Sequence, residues 1–271
     1  MDLERVDQAV KVLGGVTLLL IGSGWVIEEF GVELELSGFT HLAGPLYIAA
    51  FAVGLPTFLL ILYARNLRDK GILQLAALNN WRVDQNFGKK GNGFFSGYKK
   101  IGSVDITDLP LFKSATQLRN ALVNVDGFAD AIGVKTGSGD SSVMQTVYCF
   151  QNQFDSPVFQ IHKEGVVSKV GQMVSGSVGA DRDIDFDEDR DFSDSFVLKG
   201  DEEEAVRALF VGSLRQYFCE HPSMHDWVIE SSREITIFYQ RAQLAPPDAI
   251  LSQRKECLSI HKKLDSYRQR F

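Results

Sequence analysis

Two uncharged apolar runs near the N-terminus constrain this chain more than anything after them, because lipid or a large protein core must cover them. The first, "VLGGVTLLLIGSGWVI" at residues 12–27, is bracketed by Lys11 and Glu28. At about 1.5 Å per helical residue it falls slightly short of a hydrocarbon layer roughly 30 Å thick, so it spans only where the bilayer thins or flanking charges reach the interface. Lys11 can extend to the headgroups and Trp25 suits an interfacial position. The second run, "HLAGPLYIAAFAVGLPTFLLILYA" at residues 41–64, is long enough to span outright. Pro56 lies inside it and predicts a kink, tolerable where a neighbouring helix covers the freed carbonyl. Gly15 and Gly22 on the first helix, and Ala50 and Gly54 on the second, offer small faces for close packing.

Flanking charge sets the expected orientation. The connector "EEFGVELELSGFT" carries Glu28, Glu29, Glu33 and Glu35 without a cation, whereas Arg65, Arg68 and Lys70 follow the second run directly. Cations favour the inner side, so both ends of the hairpin are expected in the cytoplasm and the hairpin in the inner membrane. A cleaved signal peptide fits less well, since "MDLERVDQAVK" mixes acids with bases and no A-x-A-like site follows.

The expected organisation is a cytoplasmic N-terminus at 1–11, transmembrane helices at 12–30 and 42–64 joined by an external acidic loop at 31–41, and a membrane-proximal helix and Gly/Lys-rich linker at 65–100. A cytoplasmic α+β domain at 101–242 follows, then a C-terminal amphipathic helix at 243–271. The membrane-proximal helix is expected to break at Gly71, and Lys89, Lys90, Lys99 and Lys100 could touch anionic headgroups or lie in a solvated loop. "SATQLRNAL" reads as a short helix; "SVMQTVYCF" and "PVFQIH" read as antiparallel neighbours, with "SFVLKG" as a third strand. Asp201 and Glu204 form a D-x-x-E arrangement that should cap one continuous helix, "EEEAVRALFVGSLRQYFCEH". "DWVIESSREITIFYQ" predicts a hairpin pairing Trp227 and Ile229 with Ile235 and Ile237. Beyond Pro246 and Pro247, Ile250, Cys257, Leu264 and Phe271 recur at heptad intervals, too briefly to establish a coiled coil.

The ordered pieces "TV", "SPVF", "DIDF", "DFS", "FVLKG" and "EEAVRALF" across residues 144–238 resemble a family of bacterial membrane-anchored proteins of uncharacterised function. The resemblance implies a membrane anchor and a cytoplasmic domain, and carries over no catalytic residue. This chain departs from it upstream, where "ADAIGVKTGSG" replaces an aromatic-rich strand.

A net charge of −7 argues against nonspecific nucleic-acid binding, which needs a basic face. Cys149, Cys219 and Cys257 are odd in number and widely spaced, which predicts reduced thiols rather than a disulfide framework. The acidic run "DRDIDFDEDRD" at 181–191 offers Asp183, Asp185 and Asp187 as metal ligands, with calcium or another divalent cation as the cofactor. Glu188 stands where a calcium loop needs glycine and Asp194 where it needs glutamate, while Ile184 and Phe186 alternate with the acids as a strand protecting a sheet edge would require. A second metal candidate groups Cys219, His221 and His225, completed by Cys257 and His261 if the last helix folds back; a buried thiol beside turn histidines explains the same residues without a metal.

"GYKKIGS" lacks the lysine of a P-loop, "GNGFFSG" lacks a preceding strand, and Ser175 stands where a nucleophile elbow needs its first glycine. The last helix carries Arg254, Lys255, Lys262, Lys263, Arg268 and Arg270, which fit a return to the membrane surface, an acidic partner, or packing on its own domain. The favoured expectation is a non-enzymatic, bilayer-anchored module that binds a protein or the membrane surface. The alternative is a metal-dependent enzyme or sensor using the acidic segment.

Overall fold

The computed structural model describes residues 3–30, 43–84, 100–101, 103–106, 108–137, 142–164 and 183–269. The expected external loop and most of the Gly/Lys-rich linker lie outside these residues. The chain divides into two compact units, Met1–Gln74 and Leu75–Phe271.

The first unit holds α1 (Leu3–Phe30) and most of α2 (Ala43–Leu78). Their contact is made by small residues: a Cβ built on Gly54 would lie 3.3 Å from Thr17 Cγ2, and Ala50 and Thr57, on the same face of α2, are buried. The seat on α1 is Thr17 rather than Gly15, where an added Cβ would meet no other side chain or helix within 4 Å. Thr17 and Thr57 donate their hydroxyls to Leu13 O at 2.9 Å and Val53 O at 2.7 Å, which hides both polar groups within their own helices. Large apolar side chains point the other way; Ile48 and Phe51 are 72% and 71% exposed.

Among the described residues α2 is the one helix long and apolar enough to cross a membrane, with a mean hydropathy of 2.1 over 18 residues. The apolar part of α1 is Val12–Ile21, shorter than a bilayer requires. Gly71 does not interrupt α2, which runs on past 64 to Leu78 because nothing in "RNLRDKGILQLAAL" stops a helix before the asparagines.

The second unit is built on β1 (Arg82–Asp84), β2 (Lys100–Ile101), β3 (Val104–Asp105), α3 (Pro110–Ser114), β4 (Ala115–Val123), β5 (Ala129–Thr136), β6 (Val143–Gln151) and β7 (Phe159–Lys163). There follow α4 (Arg190–Ser193), β8 (Phe196–Gly200), α5 (Glu203–Leu209), α6 (Gly212–Glu220), a 3-10 turn at Pro222–His225, β9 (Val228–Ser231), β10 (Ile235–Tyr239) and α7 (Ile250–Arg268). Eight strands form one antiparallel sheet in the order β1-β4-β5-β6-β10-β9-β7-β8, and β2 pairs with β3 separately.

Both faces of the sheet are covered. One packs Val147, Cys149, Val228, Ile235 and Ile237 against Ile101, Val104, Ile106, Leu109 and Leu111 of the segment before β4. The other takes the helices: Phe210 and Phe218 of α5–α6 meet Phe159 and Phe196, while His261 of α7 stacks on Phe150.

Four sequence expectations change here. "SATQLRNAL" is not a helix but the end of α3 and strand β4. The strands β6 and β7 are not neighbours, because the β9–β10 hairpin inserts between them. That hairpin pairs Ile229 with Phe238 and Glu230 with Ile237, three residues from the expected register, and Trp227 lies just before β9. The helix after β8 is two helices, broken at Phe210 and Val211, and Glu202 precedes α5 without a side-chain cap from Asp201.

Candidate functional site

The acidic segment gives three of its carboxylates, Asp183, Glu188 and Asp189, structural partners. Ile184 and Phe186 are buried while Asp183, Asp185 and Asp187 face solvent, the alternation expected of a covered edge. The segment is not a full strand; it lies along β8 through one backbone bond, Ile184 N–H to Leu198 O at 2.8 Å. Asp183 pairs with Lys199 at 3.5 Å. Asp189 caps α4 by accepting from Phe192 N–H at 3.3 Å. Arg215, with a side chain only 8% exposed, reaches Asp189 at 2.8 Å and Glu188 at 3.1 Å, and its guanidinium lies 4.0 Å over the Phe186 ring. Among the described residues no three His, Cys, Asp or Glu side chains come together as metal ligands would.

The cysteines and histidines likewise disperse into separate contacts. His221 bonds the Tyr217 carbonyl at 2.8 Å, His225 meets Lys163 Nζ at 3.3 Å, and His261 meets Asn152 at 3.2 Å. All three cysteines are free thiols. Burial pushes each thiol above its ordinary pKa, which makes Cys219 and Cys257 poor thiolate ligands and poor nucleophiles.

Two buried polar clusters escaped the sequence. Glu230 on β9 is fully buried and accepts three bonds, from Leu111 N–H at 3.0 Å, Gln160 Nε2 at 2.8 Å and Tyr239 O–H at 2.8 Å. Burial raises its pKa, and those hydrogen bonds together with the charge of Arg241 oppose the rise. Glu230 thereby clamps the first turn of α3 onto the sheet. On the opposite face Arg268 of α7 donates to Asp265 at 2.7 Å, Asn152 at 3.0 Å, and Ser231 and Thr236 at 2.9 Å each. A charged residue inside "VIESS" was the only signal for the first cluster; nothing local marked Arg268 as an inward-facing cation.

A cleft of about 600 Å³ lies at one end of the sheet. Asp108, Asp155, Asp201 and Glu202 line it against one guanidinium, that of Arg233. Its wall is held by Ser156, whose N–H donates to Arg233 O at 3.2 Å and whose Oγ accepts from Ser231 Oγ at 3.0 Å. The carboxylates come from three separate stretches of chain, so no motif could announce them. The arrangement suits recognition of a cationic group; among the described residues it pairs no nucleophile with a base.

No protein-family profile matches the chain, and no curated protein matches it. Among solved structures, the mycobacterial trehalose monomycolate transport factor A, TtfA, is similar at 11% identity and a TM-score of 0.40, over 73% of this chain and 92% of that one. The fold and its surfaces define the class of this chain: an α+β protein with an apolar helix long enough for a membrane.

Proposed function

We propose that this chain is a membrane-anchored binding protein. In this reading α1 and α2 form a two-span hairpin in the inner membrane, the short apolar part of α1 crossing where the bilayer thins around it, and the second unit sits in the cytoplasm and takes a basic protein segment in its acidic cleft. The observation that carries the reading is the surface of α2, where the apolar window is only 11% buried and so requires a nonaqueous partner. Lipid supplies it at no cost to the second unit, which closes its own core. Arg65, Arg68 and Lys70 after the apolar run favour the cytoplasmic assignment. The cleft's four carboxylates favour a cationic peptide over anionic headgroups, which like charge would repel.

The test is photo-crosslinking in native membranes with the probe at position 155, compared with a probe at Lys255 on α7. The reading expects a discrete protein adduct at 155 that weakens with salt and disappears in Asp201→Lys with Glu202→Lys. Equal labelling at both positions, or adducts indifferent to the charge reversal, would overturn it.

A further inference from the structure

The C-terminus of α2 ends in a defined turn. Asn80 takes a left-handed φ of 55°, and Trp81 N–H closes back onto Ala76 O at 2.9 Å, the six-to-one bond of a Schellman motif. The turn delivers the Trp81 side chain to a place beside Asp130. Asp130 is itself placed by an irregularity: β4 and β5 pair Leu122 with Ala131 and Val123 with Ala129, which leaves Asp130 as an extra residue. A bulge of this kind re-aims one side chain. Here the carboxylate, 7% exposed, meets Arg254 of α7 at 3.0 Å and Asn124 of the β4–β5 turn at 3.4 Å. The Arg254 guanidinium also lies 5.6 Å over the Trp81 ring and 5.7 Å over Phe150.

We infer that Asp130 makes the end of α2 and the C-terminal helix α7 one conformational unit, so that lifting α7 from the sheet releases the turn by which the chain leaves α2. Arg254 lies one turn inside α7, and Arg268, at the far end of the same helix, holds it down independently. The joint therefore answers to events along the whole helix, including a partner or modification that displaces it.

Hydrogen exchange followed by mass spectrometry on the full-length protein in detergent micelles tests this. Arg254→Gln and Asp130→Asn are each expected to speed exchange of the Trp81–Asp84 amides about tenfold, the loss of one charge-assisted hydrogen bond, with β7 and β9 unchanged. Leu264→Ala, which weakens the seating of α7 without touching the joint, is expected to speed exchange both in α7 and at Trp81–Asp84. Arg268→Met gives a second such variant at the far end of α7. Wild-type protection of Trp81–Asp84 in Arg254→Gln and Asp130→Asn would overturn the inference. So would loosening of α7 in Leu264→Ala with Trp81–Asp84 unmoved.

Discussion

Arg268 shows how much a single buried side chain holds here. Its guanidinium has 0% exposure and joins α7 to Asn152, Ser231 and Thr236, so removing it leaves the buried Asp265 carboxylate with His261 alone and takes a donor from three other interior polar groups. Breaking a buried pair from one side costs about 3–5 kcal/mol, whereas the exposed Arg207–Glu203 pair is worth about 0.5 kcal/mol or less. Arg268→Met should therefore lower the urea midpoint of the full-length protein far more than Glu203→Gln. His261 belongs to the same cluster, and burial holds its pKa below the ordinary 6.5, with Asp265 opposing and Arg268 reinforcing. The unfolded chain takes up that proton first as pH falls, so the stability contributed by neutral His261 is full above about pH 7 and declines below about pH 6.5. The urea midpoint should fall between about pH 7.5 and pH 5, with a shallower slope in His261→Gln. An equal slope in that variant would remove His261 from the account. The outward carboxylates at Asp183, Asp185 and Asp187 were readable from alternation alone. Arg268 and Glu230 were not, because their partners lie as many as 116 and 119 residues away.

At the level of elements, misreadings trace to identifiable irregularities. The strand β4 buries Ala115, Leu118 and Ala121, a three-residue spacing that imitates a helix. The cause is a pair of register shifts, at Ala115/Gln117 and Arg119/Leu122, with Asn120 at φ 50°. Sequential β6 and β7 looked like partners, yet buried Glu230 of β9 is satisfied by Gln160 of β7, and that polar pair requires the hairpin between them. The sequence "FVLKG" followed by "EEAVRALF" has a packing logic that only the structure reveals. A Cβ on Gly200 would stand 2.6 Å from Val206 Cγ2 and 2.8 Å from the Val158 carbonyl, so α5 can cross β8 only at a glycine. Gly200→Ala should cost about 1–3 kcal/mol in urea unfolding, and pairing it with Val206→Ala should recover only part, since the Val158 backbone cannot retreat. Full recovery would assign the crowding to the Val206 side chain alone. Gly127 has a left-handed φ of 81° but open space around it, so Gly127→Ala should show backbone strain without a clash.

On the scale of the whole molecule, the division into an apolar helical unit and an α+β unit was legible because hydrophobicity changes so sharply after residue 64. The cleft was not legible, since its acids converge from distant segments. The apolar side chains of α2 stay exposed while the second unit buries its own, and the proposed lipid anchor rests on that contrast. Alkaline carbonate extraction followed by density-gradient flotation of the full-length protein measures this directly. The chain is expected to remain with the floating membranes after extraction. Recovery of the full-length chain as a monodisperse, lipid-free species in the carbonate supernatant would contradict it.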